Sequence, residues 1–299
     1  MKNTNLTPKS RRLETEDDSG LLAALGARIV GQPDAMATIV PYVQMHQAGL
    51  APAGRPVGVF LLLGPTGTGK TKTVEALADV LHGSEKNVLK VDCGEFQMEH
   101  EVAKLIGAPP GYLGHRETQP LLTQQKVSAV SSERSNLSIV LFDEIEKAAP
   151  SMTRLLLGVL DKAILRLGDN TTVNFEKTLI FLTSNLGAHA MRKQINPDFG
   201  FEALVPRRIA EVGGKLRQIG AGAVRRKFSP EFVNRIDSVI TYLPLNGDAL
   251  ARIWSNIWTI SATISSTAWG PAVLPWTYPV PRASSCCAKA PAPSMARAS

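Results

Sequence analysis

The chain has 299 residues, of which 44% are hydrophobic, 20% charged and 6% aromatic. This composition excludes a fully disordered chain, a collagen-like repeat and a disulfide scaffold, and it suffices for one or two domains with a large core. With 33 basic and 26 acidic side chains the net charge is +7, a mild excess that permits anionic partners and demands none.

Residues 1–20 are polar with mixed charge and read as a flexible leader; they lack the apolar core of a secretory signal. From Leu21 onward, short apolar runs alternate with helical patterns. The predicted strands are Val57–Leu63, Val88–Asp92, Ser138–Phe142, Thr178–Thr183 and Ser238–Leu243. The predicted helices are Asp34–Ala48, Lys70–Leu81, His100–Ile106, Ser151–Leu167, Ile209–Lys227 and Pro230–Ile236. Continuous apolar strands separated by helices predict an α/β fold, a parallel sheet covered on both faces. Val57–Leu63 is far too short to span a bilayer, so no membrane partner is expected. Cys93, Cys286 and Cys287 form neither a disulfide framework nor a zinc pattern, which points to a reducing cytoplasm. His46, His82, His100, His115 and His189 make no i, i+4 pair, and each reads as a surface or turn residue rather than a metal ligand.

The first predicted strand runs into Gly64-Pro65-Thr66-Gly67-Thr68-Gly69-Lys70-Thr71. This fits G-x-x-x-x-G-K-[ST] at every fixed position. The glycines let the backbone curl so that successive N–H groups point at phosphate oxygens. The helix beginning near Lys70 offers its positive end to the same anion. Lys70 can reach the β- and γ-phosphates of ATP, and the Thr71 hydroxyl can ligate Mg²⁺. The third strand ends in Asp143-Glu144, at the sheet edge where ligands bind in open α/β folds. Asp143 is placed to hold the Mg²⁺ shell and Glu144 to orient and polarise the attacking water. The fourth ends in Thr183-Ser184-Asn185. From spacing alone, Asn185 is equally a ligand to the γ-phosphate or a turn former before Leu186-Gly187.

The phosphate loop, Phe142-Asp143-Glu144-Ile145-Glu146-Lys147-Ala148 and Leu182-Thr183-Ser184-Asn185-Leu186-Gly187 together resemble the Clp-type AAA+ ATPases, in particular the second ATPase module of ClpA, ClpB and ClpC. Three further segments share the resemblance. Ile29-Val30-Gly31-Gln32 is similar to the family's opening motif, in which Ile29 and Val30 would face the adenine. Ile106 to Gly114 resembles its pore loop, in which Tyr112 would line the pore. Phe228 to Asp237 resembles the segment that carries its arginine finger, here Arg235. The resemblance implies a three-layer AAA+ P-loop fold, ATP hydrolysis with Mg²⁺, and hexameric rings with ATP between subunits. It further implies that Asn185 senses the γ-phosphate, that Arg235 reaches a neighbour's site, and that Tyr112 grips unfolded or aggregated polypeptide. Phe199-Gly200-Phe201 lies where protease-coupled relatives carry a docking tripeptide, but its first residue is not the usual aliphatic, so a ClpP-like partner is left open.

The expected organisation is a leader over 1–20, a large ATPase domain over 21–245, the start of a small lid domain over 246–253 and an irregular tail over 254–299. All four tryptophans lie in that tail, and no acid follows Asp248. Its lack of helical or strand period reads as a disordered, aberrant ending in which the family's lid is lost. Two origins are open, a genuine divergent extension or a frameshift near Ile253; for the second, Ser285 to Ala298, read one base earlier, permits a string ending in the lid's Gly-Ala-Arg motif. Two other functions stand beside the unfoldase. One is an AAA+ motor acting on nucleic acid, weakly favoured by the net charge and disfavoured by the Gly-Tyr loop. The other is a non-catalytic nucleotide-binding remnant, disfavoured by the intact Lys70, Asp143, Glu144 and Arg235.

Overall fold

All five predicted apolar runs become strands of one parallel sheet. The computed structural model describes residues 16–107, 120–195, 209–245, 247 and 249–255. In chain order it holds α1 (Glu16–Arg28), α2 (Pro33–Gln47), β1 (Gly58–Leu63), α3 (Lys70–His82), β2 (Leu89–Asp92), α4 (Val102–Ile106), α5 (Gln124–Ala129) and β3 (Ser138–Asp143). There follow α6 (Pro150–Lys162), β4 (Ile164–Arg166), β5 (Thr172–Asn174), β6 (Thr178–Ser184), α7 (Ala188–Ile195), α8 (Ile209–Lys227), α9 (Pro230–Val233) and β7 (Ser238–Thr241).

The sheet order is β2-β3-β6-β1-β7, and every neighbouring pair is parallel. Parallel neighbours need long crossovers, which the helices supply. Side chains alternate across the strands and so feed two cores. Phe60, Leu62, Ile139, Leu141 and Phe181 face Leu25 of α1, Ile39 and Val43 of α2, and Val74 and Leu77 of α3. Leu61, Leu63, Phe142, Ile180 and Leu182 face Leu105 of α4, Met152 and Leu156 of α6, Leu216 of α8 and Phe232 of α9. The result is helix, sheet, helix: the three-layer α/β arrangement expected. Each fully buried Leu or Phe adds about 1.5–3 kcal/mol relative to exposure, so the central strands, inaccessible on both faces, anchor the fold. Among the described residues no helix is long and apolar enough to cross a membrane.

The helix predicted over Ser151–Leu167 is corrected: it stops at Lys162, and the next residues form β4, paired antiparallel with β5. The stop is made by Ala163, which is fully buried and adopts φ 54°. Glycine is the residue that usually takes this left-handed position. Here the tertiary structure holds an alanine there, with Phe175 N–H donating to the Ala163 carbonyl at 2.7 Å. At the amino end, α1 begins at Glu16, inside the stretch read as a leader. His100–Ile106 divides into a tight 3₁₀ turn over Glu99–Glu101 and α4. The last predicted helix is shorter and closes at Val233. His82, expected at the surface, is buried beneath Ser132, whose Oγ lies 2.9 Å from its Nδ1. Burial lowers its pKa. Cys93 is a buried free thiol whose pKa is pushed up by the same loss of water. The leader residues 1–15, Tyr112, Phe199-Gly200-Phe201, Cys286, Cys287 and the tail from residue 256 lie outside the described residues.

Candidate nucleotide site

Three strand ends meet at the site. Strands β1, β3 and β6 are neighbours running the same way, with Leu63 aligned to Ser184. The turns leaving their carboxyl ends therefore share one edge of the sheet. At that edge the chain leaves β1 through Gly64, which adopts φ 152°; an added Cβ there would lie 2.8 Å from the Tyr242 carbonyl oxygen. The loop needs glycine again at Gly67 and Gly69, with φ 82° and 94°, and both face open space. Gly69 caps α3 without any side-chain bond to the helix's first N–H groups. Those donors and the positive helix end therefore point at the loop unfilled by protein. Thr68 Oγ1 donates to the Pro65 carbonyl at 2.8 Å, bracing the curl from within.

Lys70 is 8% exposed. Its Nζ donates to the carbonyls of Gly64 at 2.7 Å and Pro65 at 3.0 Å, and to Asn185 Oδ1 at 2.9 Å. Burial lowers its pKa, opposed by Glu146, Asp143 and Glu144. A desolvated ammonium satisfied by three neutral oxygens is a cation with unspent attraction for an anion. Thr71 follows it on the first turn of α3, and among the described residues its hydroxyl has no partner.

The acidic pair is held by β6. Thr183, 1% exposed, donates its hydroxyl to Asp143 Oδ1. Thr183 Oγ1 in turn accepts the Glu144 backbone N–H at 3.0 Å. Glu144 adopts φ 54°, ψ 49°, a left-handed conformation that costs a non-glycine residue about 1–3 kcal/mol. Its carboxylate spans two partners: Asn185 Nδ2 donates to Oε1 at 3.0 Å, and Lys147 Nζ pairs with Oε2 at 2.5 Å. That bond raises the Lys147 pKa. Asn185 thus bridges Lys70 and Glu144, and its own backbone N–H donates to Glu146 Oε1 at 2.9 Å. The other Glu146 oxygen is buried without a partner. Asn185, whose role spacing left open, lies between the loop lysine and the acidic pair.

Ile29 and Val30 are buried just before α2, with Ile29 in the core beside α1. Arg235 stands apart from the loop. Its Nη1 donates to Asp161 Oδ1 at 2.9 Å near the end of α6. Asp237, two residues later, binds the Val59 N–H at 2.8 Å, in the amino half of β1. The loop leaves the opposite end of that strand, roughly 13 Å further along at 3.3 Å per residue. Sequence reasoning missed Thr183, Glu146 and Lys147 as parts of the site. Thr183 was legible in principle, since a hydroxyl in an otherwise apolar strand must find a buried partner.

Replacing Thr183 with valine is expected to destabilise the fold by about 1–3 kcal/mol, because the Glu144 N–H loses its acceptor. Turnover should fall while nucleotide binding persists, and Thr183→Ser should restore both. Denaturant unfolding and phosphate release on the three proteins check this.

A phosphate loop leaving β1, an inner strand of a five-stranded parallel sheet, with acids on the next strand but one, defines an ATP-binding AAA+ module. The family model for the AAA domain (Cdc48 subfamily) matches residues 55–239, and the chain belongs to that family. Within it the chain is a Clp/Hsp104-type AAA+ ATPase domain. It is 37% identical over 245 residues to the chaperone protein ClpB of Meiothermus ruber, covering 82% of this chain and 26% of that protein. It is 40% identical over 243 residues to the ATP-dependent protease ATP-binding subunit-like protein AmiB of Pseudomonas aeruginosa, covering 79% of this chain and 64% of that one. Among solved structures, the Saccharomyces cerevisiae Hsp104:casein complex in its extended conformation superposes with a TM-score of 0.68 at 28% identity, over 86% of this chain and 41% of that chain. The chain therefore spans about a quarter of the ClpB relative and under two thirds of the AmiB-like one.

Proposed function

We propose that this chain binds and hydrolyses ATP as a subunit of a Clp-like protein unfoldase or disaggregase, corresponding to that family's second ATPase module. The observation that carries the reading is the buried Lys70 ammonium, which faces an uncapped helix end and is tied through Asn185 to Glu144. The residues present fit a nucleoside triphosphate: loop and helix N–H groups and Lys70 as donors to the phosphates, and Ile29 and Val30 as apolar contacts for the base. Thr71 and Asp143 would hold Mg²⁺, which supplies charge neutralisation on the phosphates. Lys70 and Asn185 then turn from each other toward the γ-phosphate. Glu144 aligns a water and takes its proton as the new O–Pγ bond forms and the bond to the β-phosphate oxygen breaks, releasing ADP and phosphate. Arg235, remote from its own loop, serves the site of a neighbouring copy, so turnover depends on ring assembly, with six copies as the expected number.

The large domain is assigned to 21–245, and residues 246–253 to the start of a lid. Unfolded or aggregated polypeptide is the substrate, gripped by Tyr112, and the compartment is cytoplasmic. A ClpP-like protease is a further candidate partner.

The test is mant-ATP binding and ATP turnover by the purified chain beside Lys70→Ala. The substitution is expected to weaken binding about 10- to 100-fold, the worth of charge-assisted bonds to phosphate. Equal binding by both proteins would remove the site. Turnover stimulated by duplex DNA and not by an unfolded polypeptide would overturn the substrate class.

A further inference from the structure

Gln32 has no part in the chemistry assigned above, yet its side chain joins distant stretches of the chain. It is 5% exposed. Its Nε2 donates to the Thr68 carbonyl at 3.2 Å and to the Leu243 carbonyl at 2.8 Å. Its Oε1 accepts the Leu243 N–H at 3.3 Å. Thr68 belongs to the phosphate loop, and Leu243 follows β7. Beside it, Gly31 adopts φ 81° and packs so closely that an added Cβ would lie 2.9 Å from Leu245 Cδ2 and 3.3 Å from Ala249 Cβ. Residues 31 and 32 therefore hold Leu243 by its backbone and pack against the side chains of Leu245 and Ala249. Both hydrogens of the Gln32 amide are committed, one to each carbonyl. A buried amide cannot exchange a lost partner for water. Any movement of the Thr68 peptide must then either drag the Gln32 amide or leave it unpaired.

We propose that Gln32 is a positioning residue that transmits the state of the phosphate loop to the chain after β7. The inference rests on the reading that this loop takes ATP. When phosphate fills the loop, its N–H groups turn to the new oxygens, and Lys70 leaves the Gly64 and Pro65 carbonyls. The Thr68 carbonyl moves with them, and Gln32 carries that shift to Leu243 and so to the residues that follow it.

The sequence supplies its own reporter. All four tryptophans, Trp254, Trp258, Trp269 and Trp276, lie beyond Ile253, so emission excited selectively at tryptophan arises only past that point. The full chain, Gln32→Glu and Gln32→Met are titrated with mant-ATP for binding and, separately, with ATP for tryptophan emission. Glutamate keeps the length and the acceptor but loses both donors; methionine keeps the length alone. The expected result is an emission change in the parent chain, and nucleotide binding with loss of most of that change in both variants. Variants that bind and keep the full change overturn the proposal, as does a parent chain that binds without any change. A parent chain that fails to bind mant-ATP instead removes the nucleotide reading and the proposal with it. Should both variants fail to fold, hydrogen exchange on the parent chain decides. ATP is expected to alter protection of the Leu243 amide, and unaltered protection overturns the proposal.

Discussion

Replacing Glu144 with glutamine is expected to cut ATP turnover by roughly 10²- to 10⁴-fold, the usual worth of a positioned general base. Nucleotide should remain bound. The substitution keeps the side chain's length, and its amide oxygen can still accept the Asn185 Nδ2 hydrogen now received by the carboxylate at 3.0 Å. What disappears is the capacity to take a proton from water. The pair with Lys147, 2.5 Å long, is also lost, and with it the largest cause that raises the lysine's pKa. Phosphate release and mant-ATP binding measured on one preparation separate the two effects. A variant that turns over normally would move the base elsewhere, and Glu146, with its unpartnered buried oxygen, would be the next carboxylate to test.

Arg235→Ala is expected to lower turnover by about 10³-fold or more, the scale of an arginine finger. That is roughly 4 kcal/mol of transition-state stabilisation. Little of the loss should come from folding. The pair with Asp161 is 40% and 36% exposed, and exposed ion pairs of this kind are worth about 0–1 kcal/mol. The decisive measurement mixes this variant with Glu144→Gln. Each lacks what the other keeps, so a site formed between an Arg235→Ala subunit and a Glu144→Gln neighbour has both a base and a finger. Turnover by the mixture above that of either variant alone is the expected outcome. No recovery would mean that Arg235 does not act across a subunit boundary.

The sheet was legible because its strands are unbroken apolar runs bounded by turn residues. Gly58–Leu63 and Thr178–Ser184 differ from their predicted bounds by one residue. The long helix Ile209–Lys227 matches its predicted span. The loop and acidic pair were legible because their chemistry fixes both residue type and spacing. What escaped has a common cause. Ala163 ends α6 in a conformation that no local signal announces, so β4 was absorbed into the predicted helix and its partner β5 went unpredicted. Glu144 adopts its left-handed backbone because Thr183 and Asn185 grip it from another strand. Gln32 is bonded to Leu243 across most of the domain. In each case the deciding interaction is between residues far apart in sequence, where periodicity and propensity carry no information.

The strand order has a consequence for how the chain is made. β1 emerges early, yet Gly58 aligns with Leu179 of β6 and Phe60 with Ser238 of β7. Both of its hydrogen-bonding edges stay bare until those distant segments have left the ribosome. Closing such long loops precedes any reward from pairing, which makes parallel sheets slow to form and prone to association meanwhile. A nascent chain ending before β7 would present Val59, Leu61 and Leu63 on an open strand edge. The segment that later bears the phosphate loop is therefore, during synthesis, itself an exposed, association-prone strand.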